Sequence, residues 1–190
     1  MRVLIVGAHR GVGALLMERC QQLGMVPTAF KGTVLNAEAV LRAVEGHAAV
    51  LSTLGPRADS EPDLCSRGTR NIIDAMKTHG VRRLVQVTGA MIGHPHDRLG
   101  LVYRMIAAAV GEPSLRDRRL QEQLVIESGL EWTLIRPTRL TDGAPKGQWR
   151  DGEHERIGAF AHIARADVAE AMLRALENRA TIGHALTLQY

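Results

Sequence analysis

The sequence predicts an α/β fold with a doubly wound parallel sheet and helices on both faces. Three observations predict it. Apolar runs rich in β-branched residues, such as Val3-Leu4-Ile5-Val6, recur and end at glycine, as strands buried on both faces do. Segments with apolar residues at helical spacing lie between these runs. Strand-like and helix-like segments alternate along all 190 residues without an internal repeat or linker, which indicates one domain over 1–190.

The elements follow in order. Residues 3–6 form the first strand, ended by Gly7. Val12, Leu15, Leu16, Cys20 and Leu23 share one helix face, and Gly24 closes that helix. Residues 25–30 read as the second strand. Asn36 is the N-cap of a helix over 37–45, stopped at Gly46. Residues 48–54 are the third strand, ended by Gly55-Pro56. Leu64, Gly68, Ile72 and Met76 lie four apart on a helix closed by His79-Gly80. Residues 84–88 are a strand before Gly89. A helix over 101–110 stops at Gly111. Ser114-x-x-Asp117 has the form of a capping box, opening a helix that ends at Ser128-Gly129. Residues 132–136 are a strand cut by Pro137, and 141–155 form the one long loop. Asp167-x-x-Glu170 is a second capping-box pattern, opening a helix to Asn178, and 185–189 are the last strand.

Composition limits the function. A chain of this size buries enough core to fold without disulfides or a metal. Two Phe, two Trp and two Tyr are too few for a platform that stacks nucleic-acid bases. The net charge of +4 comes from 21 Arg and 3 Lys against 20 acids. The basic residues are scattered, densest at Arg82-Arg83 and Arg116/Arg118/Arg119, so a solvated surface is expected before a phosphate-bearing ligand, and a polynucleotide last. Cys20 and Cys65 fall in apolar-periodic stretches and read as buried free thiols. No apolar run reaches about 18 residues, so no membrane span is expected. The N-terminal apolar run is too short for a signal peptide, and the expected setting is reducing and cytoplasmic.

The first strand meets the first helix through Gly7-Ala8-His9-Arg10-Gly11-Val12-Gly13. A glycine-rich turn between strand and helix lets the backbone approach a pyrophosphate, which the helix N-terminus then attracts. His9 replaces the second glycine of G-x-G-x-x-G, so the context carries this reading more than the letters do. A tight turn with no ligand is the competing reading. Sites for NAD place an acid about 20 residues further on. Here the second strand ends Ala29-Phe30-Lys31, without one. Lys31, with Arg10 in the turn, favours the 2′-phosphate of NADP over NAD; taken singly, both are ordinary surface residues.

The turn, Leu51-Ser52-Thr53-Leu54-Gly55, Arg83-Leu84-Val85-Gln86-Val87-Thr88-Gly89, the SGLEWTLIRP segment from Ser128 to Pro137, and the ARADVA segment from Ala164 to Ala169 together resemble a known group. The chain is similar to the atypical short-chain dehydrogenase/reductases, specifically the NAD(P)H-binding proteins like biliverdin reductase B (flavin reductase) and, more distantly, the NmrA-like proteins. The resemblance implies a Rossmann fold, NADPH over the carboxyl ends of the strands, and reduction of a planar conjugated acceptor such as a flavin, tetrapyrrole or quinone. It assigns Gly7, His9, Arg10, Gly11, Val12 and Gly13 to the pyrophosphate, Lys31 to the 2′-phosphate, and Thr33 and Val34 to adenine. Thr53, Leu54 and Gly55 would lie beneath the adenosine and pyrophosphate, Thr88 and Gly89 near the nicotinamide ribose, and Pro137 and Thr138 near the nicotinamide. The implied partner is a small planar molecule, with neither nucleic acid nor membrane, and the protein acts as a monomer or small homo-oligomer.

The chain departs from the group in four places. Arg10 occupies the place of a close-approach glycine. About five residues separate Phe30 from the next helix, where the group has a further helix and strand. Gly89 stands where the flavin-reductase relatives carry a catalytic Ser. The Tyr-x-x-x-Lys pair is absent, since Tyr103 is followed by Ala107. Thr88 and Tyr103 remain as candidate catalytic residues; for Tyr103 the competing reading is a ring packed on the core. His94-Pro95-His96-Asp97 supplies three possible metal ligands with no matching partner pair, so a loop beyond a strand end is expected and no metal site. Asp142 and Trp149-Arg150 lie in the long loop, which is either a cover for the acceptor or plain surface. A non-catalytic dinucleotide sensor, or a scaffold with a degenerate cofactor site, is the competing function.

Overall fold

The computed structural model describes residues 1–56, 60–92, 98–153 and 156–190. In chain order the elements are β1 (Arg2–Val6), α1 (Gly11–Gln22), β2 (Val26–Ala29), α2 (Ala37–Val44), β3 (Ala49–Ser52), α3 (Leu64–Thr78), β4 (Arg83–Val87), β5 (Arg98–Leu99), α4 (Leu101–Val110) and α5 (Glu112–Ile126). They continue as β6 (Glu131–Pro137), β7 (Arg139–Thr141), β8 (Arg150–Gly152), β9 (Arg156–Ile157), β10 (His162–Ala164), α6 (Arg165–Glu177) and β11 (His184–Gln189).

Seven strands make the main sheet in the order β2-β1-β3-β4-β6-β11-β8. All neighbours run parallel except β8, which pairs antiparallel with β11. This is the doubly wound Rossmann-type sheet that the alternation predicts. The strands β1, β3 and β4 are buried along nearly their whole length, which is why they read as unbroken apolar runs. On one face, α1 and α6 cover a core of Ile5, Leu16, Leu51, Val85, Ile135 and Met172. On the other, α2, α3 and α5 cover Leu4, Val50, Ile72, Met76, Leu84 and Leu134. The chain winds one way through β1 and β2, then crosses back to β3 on the far side of β1. That reversal opens a crevice at the strand carboxyl ends, where ligands of such sheets bind.

The short segment after Phe30 has its predicted consequence. Among the described residues no strand flanks β2, which is the edge of the sheet and carries Pro27, a residue that sheets confine to edges. Residues 31–35 instead fold down onto α3. The Asn71 side chain donates to the Val34 carbonyl at 2.8 Å, and Gly68 is so close beneath that a Cβ there would lie 2.5 Å from Val34. Asn36 caps α2 as expected, accepting from the Ala39 amide at 3.0 Å.

Both capping-box expectations fail. Helix α5 begins at Glu112, set by Gly111 at φ +85° and by Pro113 in its first turn, so Ser114 lies inside the helix. The Asp117 carboxylate accepts from the amides of Cys65 and Ser66, both at 2.9 Å, and so caps α3 from a distance. Helix α6 begins at Arg165 with no side-chain cap. Asp167 accepts from the Lys146 and Gly147 amides at 2.8 and 3.0 Å and from the Tyr190 hydroxyl.

Three further expectations are corrected. The stretch 141–155 is not one loop, because β8 lies within it and joins the main sheet. The strand expected to stop before Pro137 runs through it, pairing Pro137 with Leu188. The arginines are not all surface: Arg83 and Arg136 are 9% and 4% exposed. Arg83 donates to the carbonyl of Glu131 at 2.7 Å, to the Thr133 hydroxyl at 2.9 Å and to the Ala175 carbonyl. Burial lowers its pKa to about 10. Cys20 and Cys65 are free and buried. Among the described residues no helix is long and apolar enough to cross a membrane.

Candidate functional site

The glycine-rich turn takes its shape from three glycines with different reasons. Gly7 and Gly11 have φ +85° and +55°, which favour glycine. At Gly7 a side chain would also lie 2.5 Å from the Thr53 hydroxyl. Gly13 is needed for space: a Cβ there would overlap the Gly7 carbonyl oxygen. Helix α1 therefore sits directly on the end of β1, and Thr53, just past β3, fastens that end by sharing its hydroxyl proton between the carbonyls of Val6 and Gly7 at 3.1 and 3.3 Å. Arg10, with φ −160°, is the N-cap; among the described residues no side chain caps α1, and its first turn carries no acid. Its leading amides and positive dipole end are thus open to an anion.

A cleft of about 860 Å³ spreads from this turn across the carboxyl ends of β1 to β4, within the size range of small-molecule and cofactor sites. Gly7, His9, Arg10, Gly11, Val12, Thr33, Val34, Thr53, Leu54, Gly55 and Thr88 line it. The other sequence-derived candidates stand elsewhere. Gly13 lies under the turn, Lys31 is exposed beside the lining residues Phe30 and Gly32, and Gly89 abuts Arg118. Pro137 is buried in β6, and Thr138 donates to the Leu188 carbonyl at 3.1 Å. His94, Pro95, His96 and Asp97 lie outside the described residues.

The two candidate catalytic hydroxyls are already engaged. Thr88 donates to the buried Glu122 carboxylate at 2.5 Å, so its oxygen remains an acceptor at the cleft wall. Tyr103 is 2% exposed. It donates to the Ala161 carbonyl at 2.8 Å and accepts from the Arg139 amide at 2.7 Å, and burial raises its pKa. It joins β7 to the Ala161 segment and packs beside Ala90 and Ile157, which is the core reading.

Two arginines in the cleft were not legible as site residues. Arg118, on α5, donates to the Thr88 carbonyl at 3.2 Å. Arg165, at the start of α6, lies 3.6 Å from where a Gly11 Cβ would be and pairs with Asp142 at 2.6 Å. In the sequence Arg118 belongs to the Arg116/Arg118/Arg119 cluster and Arg165 to the ARADVA segment, and no spacing marks either as a cleft residue. The cleft also gains an apolar wall from Phe30, Leu64, Val87 and Leu140. Uncapped amides over a close-packed turn, a cationic lining and this wall fit a dinucleotide, whose phosphates need the first two and whose rings need the third.

Comparison with known proteins bears on the family and the fold. The family model described as NAD(P)H-binding matches residues 17–179. ChuY, an anaerobillin reductase from Escherichia coli O157:H7, superposes with TM-score 0.81 at 21% identity, covering 99% of this chain and 96% of that one. A wide-type short-chain dehydrogenase/reductase from Veillonella parvula, solved with NADP, gives TM-score 0.81 at 15% identity over 100% and 94% of the two chains. The oxidoreductase ylbE from Lactococcus lactis gives 0.82 at 16% over 99% and 90%. These likenesses share the Rossmann fold. Since the family match takes in most of the chain, the protein belongs to the NAD(P)H-binding family, in keeping with its resemblance to the atypical short-chain dehydrogenase/reductases.

Proposed function

We propose that the protein is an NADPH-dependent reductase of a planar conjugated acceptor of flavin, tetrapyrrole or quinone type. The observation that carries this reading is the continuous cleft, which runs from the uncapped amides of α1 past Thr53 and Leu54 to Thr88 and Leu140. Bound NADPH supplies the hydride; the protein holds the two flat rings against each other. The α1 amides hold the pyrophosphate. Phe30, Val34 and Leu54 supply the apolar surface for the adenine end. Arg10 at the cleft and Lys31 beside it supply the positive charge that favours a 2′-phosphate, and no acid stands at the end of β2 to repel it.

Thr88 serves this reading as a hydrogen-bond acceptor, because its own proton is directed to Glu122. Tyr103 positions Arg139 and Ala161 and gives no proton to the acceptor, which draws it from solvent. The likeness to an anaerobillin reductase supports a tetrapyrrole within the acceptor class.

The engagement of both hydroxyls favours one second reading, a dinucleotide sensor without turnover. Titration with NADPH and NADH, followed by acceptor-dependent NADPH oxidation over flavins, quinones and open-chain tetrapyrroles, separates the two. Tighter binding of NADPH with acceptor-dependent oxidation is expected. Binding without oxidation of any acceptor would leave the sensor, and no binding of either dinucleotide would remove both.

A further inference from the structure

Arg118 stands apart among the charged residues of the cleft. Arg165 is neutralised by Asp142. Arg118 is half-buried, and among the described residues no carboxylate pairs with it. The carboxylate next to it in sequence, Asp117, is spent on the amides of Cys65 and Ser66. Among the described residues the Arg118 guanidinium makes one hydrogen bond, from Nη1 to the Thr88 carbonyl, and a guanidinium has five N–H donors in a planar fork. A half-buried cation with most of its donors free is a ready seat for an oxyanion.

The backbone makes room for it. A side chain at Gly55 would press on Nη2 at 3.3 Å, and one at Gly89 would touch Nη1 at 3.6 Å. Neither glycine has a positive φ, so open space rather than backbone conformation is what glycine provides there. The guanidinium therefore reaches across the ends of β3 and β4, into the cleft, where a longer residue at either position would obstruct it.

We infer that Arg118 seats an oxyanion, a phosphate or carboxylate, of the ligand that fills the cleft. The inference rests on the reductase reading. Two sources carry this chemistry: a phosphate of the dinucleotide, or an acidic substituent of the acceptor. FMN and riboflavin distinguish them, because they share one ring system and differ by a phosphate.

The test measures dissociation constants of wild type, Arg118→Met and Arg118→Lys for FMN and riboflavin by flavin fluorescence quenching, and for NADPH by calorimetry. Arg118→Met is expected to weaken a phosphate-bearing ligand roughly tenfold or more, the scale of a lost charge-assisted hydrogen bond. Arg118→Lys keeps the charge and recovers part of the loss. Thermal unfolding of both variants accounts for the lost contact to the Thr88 carbonyl. A loss for FMN with riboflavin unchanged assigns the seat to the acceptor; a loss for NADPH assigns it to the dinucleotide. Equal losses for FMN and riboflavin with NADPH unaffected, or no loss for any ligand, would overturn the inference and leave the reductase reading standing. A wild type that binds neither dinucleotide nor flavin would end both.

Discussion

Arg136 and Glu122 form a two-pronged ion pair inside the protein, Nε to Oε1 at 3.0 Å and Nη2 to Oε2 at 2.5 Å. Their side chains are 4% and 3% exposed. The carboxylate also accepts the Thr88 hydroxyl, so a single buried charge joins α5, β6 and the end of β4. Glu122→Leu strands the Arg136 guanidinium away from water, at a cost of about 3–5 kcal/mol. Glu122→Leu and Arg136→Met should each lower the unfolding free energy on that scale in denaturant titrations. The double variant should lose less than Glu122→Leu, because it leaves no stranded guanidinium. Wild-type midpoints for both single variants would show that the pair does not carry this load.

Gly13 sets the seat of α1 on β1. The atom an added Cβ would overlap is the Gly7 carbonyl oxygen, which is backbone and cannot swing aside. Gly13→Ala must therefore push the helix away from the strand, with an overpacking cost of about 1–3 kcal/mol and displacement of the amides proposed to hold the pyrophosphate. Dinucleotide affinity and melting temperature should fall together. At Gly24, where nothing lies within 4 Å, an alanine meets only the backbone strain of φ +71° and should leave dinucleotide affinity intact. Unchanged affinity in Gly13→Ala would separate the turn from the ligand.

The buried thiol of Cys65 gives stability a dependence on alkaline pH. Burial is the main cause that pushes its pKa up to about 12; nearby Arg118 opposes the shift and Asp117 adds to it. An unfolded thiol ionises near 9.0, so above that pH the unfolded chain releases a proton that the folded chain keeps. The stability contribution is full below about pH 9 and declines as pH rises toward 12. Tyr103 and Tyr190, also raised, act in the same direction at higher pH. Cys65→Ala should flatten the fall in unfolding free energy between about pH 8.5 and 10.5. An unaltered slope would mean that another group produces it.

What was legible in the sequence was local. Unbroken apolar runs such as residues 3–6 and 48–54 mark strands because both sheet faces are covered. The gap after Phe30 marks a missing strand because no element fits in so few residues. Gly7, Gly11 and Gly13 were placed by the strand before them and the helix after them. The unread parts depend on long-range partners. Asp117 and Asp167 have the spacing of caps for their own helices, yet the backbone amides they satisfy belong to residues 65–66 and 146–147. Arg118 and Arg165 come to one cleft from different helices, and no spacing rule relates them. Thr88 stands out by its place at the end of β4, but the direction of its proton depends on Glu122, which the chain brings there from α5.

Asp142 and Arg165 form an ion pair at the cleft. Arg165 lies along Gly11, beside the open amides of α1, and its charge is held by Asp142, whose side chain is 87% exposed. A phosphate bound at those amides competes with Asp142 for the guanidinium, and an exposed pair is weakly held, at about 0–1 kcal/mol. Asp142→Asn removes the competitor and one negative charge from the mouth of the cleft. NADPH affinity should rise a few-fold, and the gain should shrink with added salt. In an Arg165→Met background the same substitution should gain less, since only the longer-range charge effect is left. Calorimetric titration of the four proteins closes this cycle. Equal gains with and without Arg165 would show that Asp142 acts through the general field of the cleft rather than by holding that arginine.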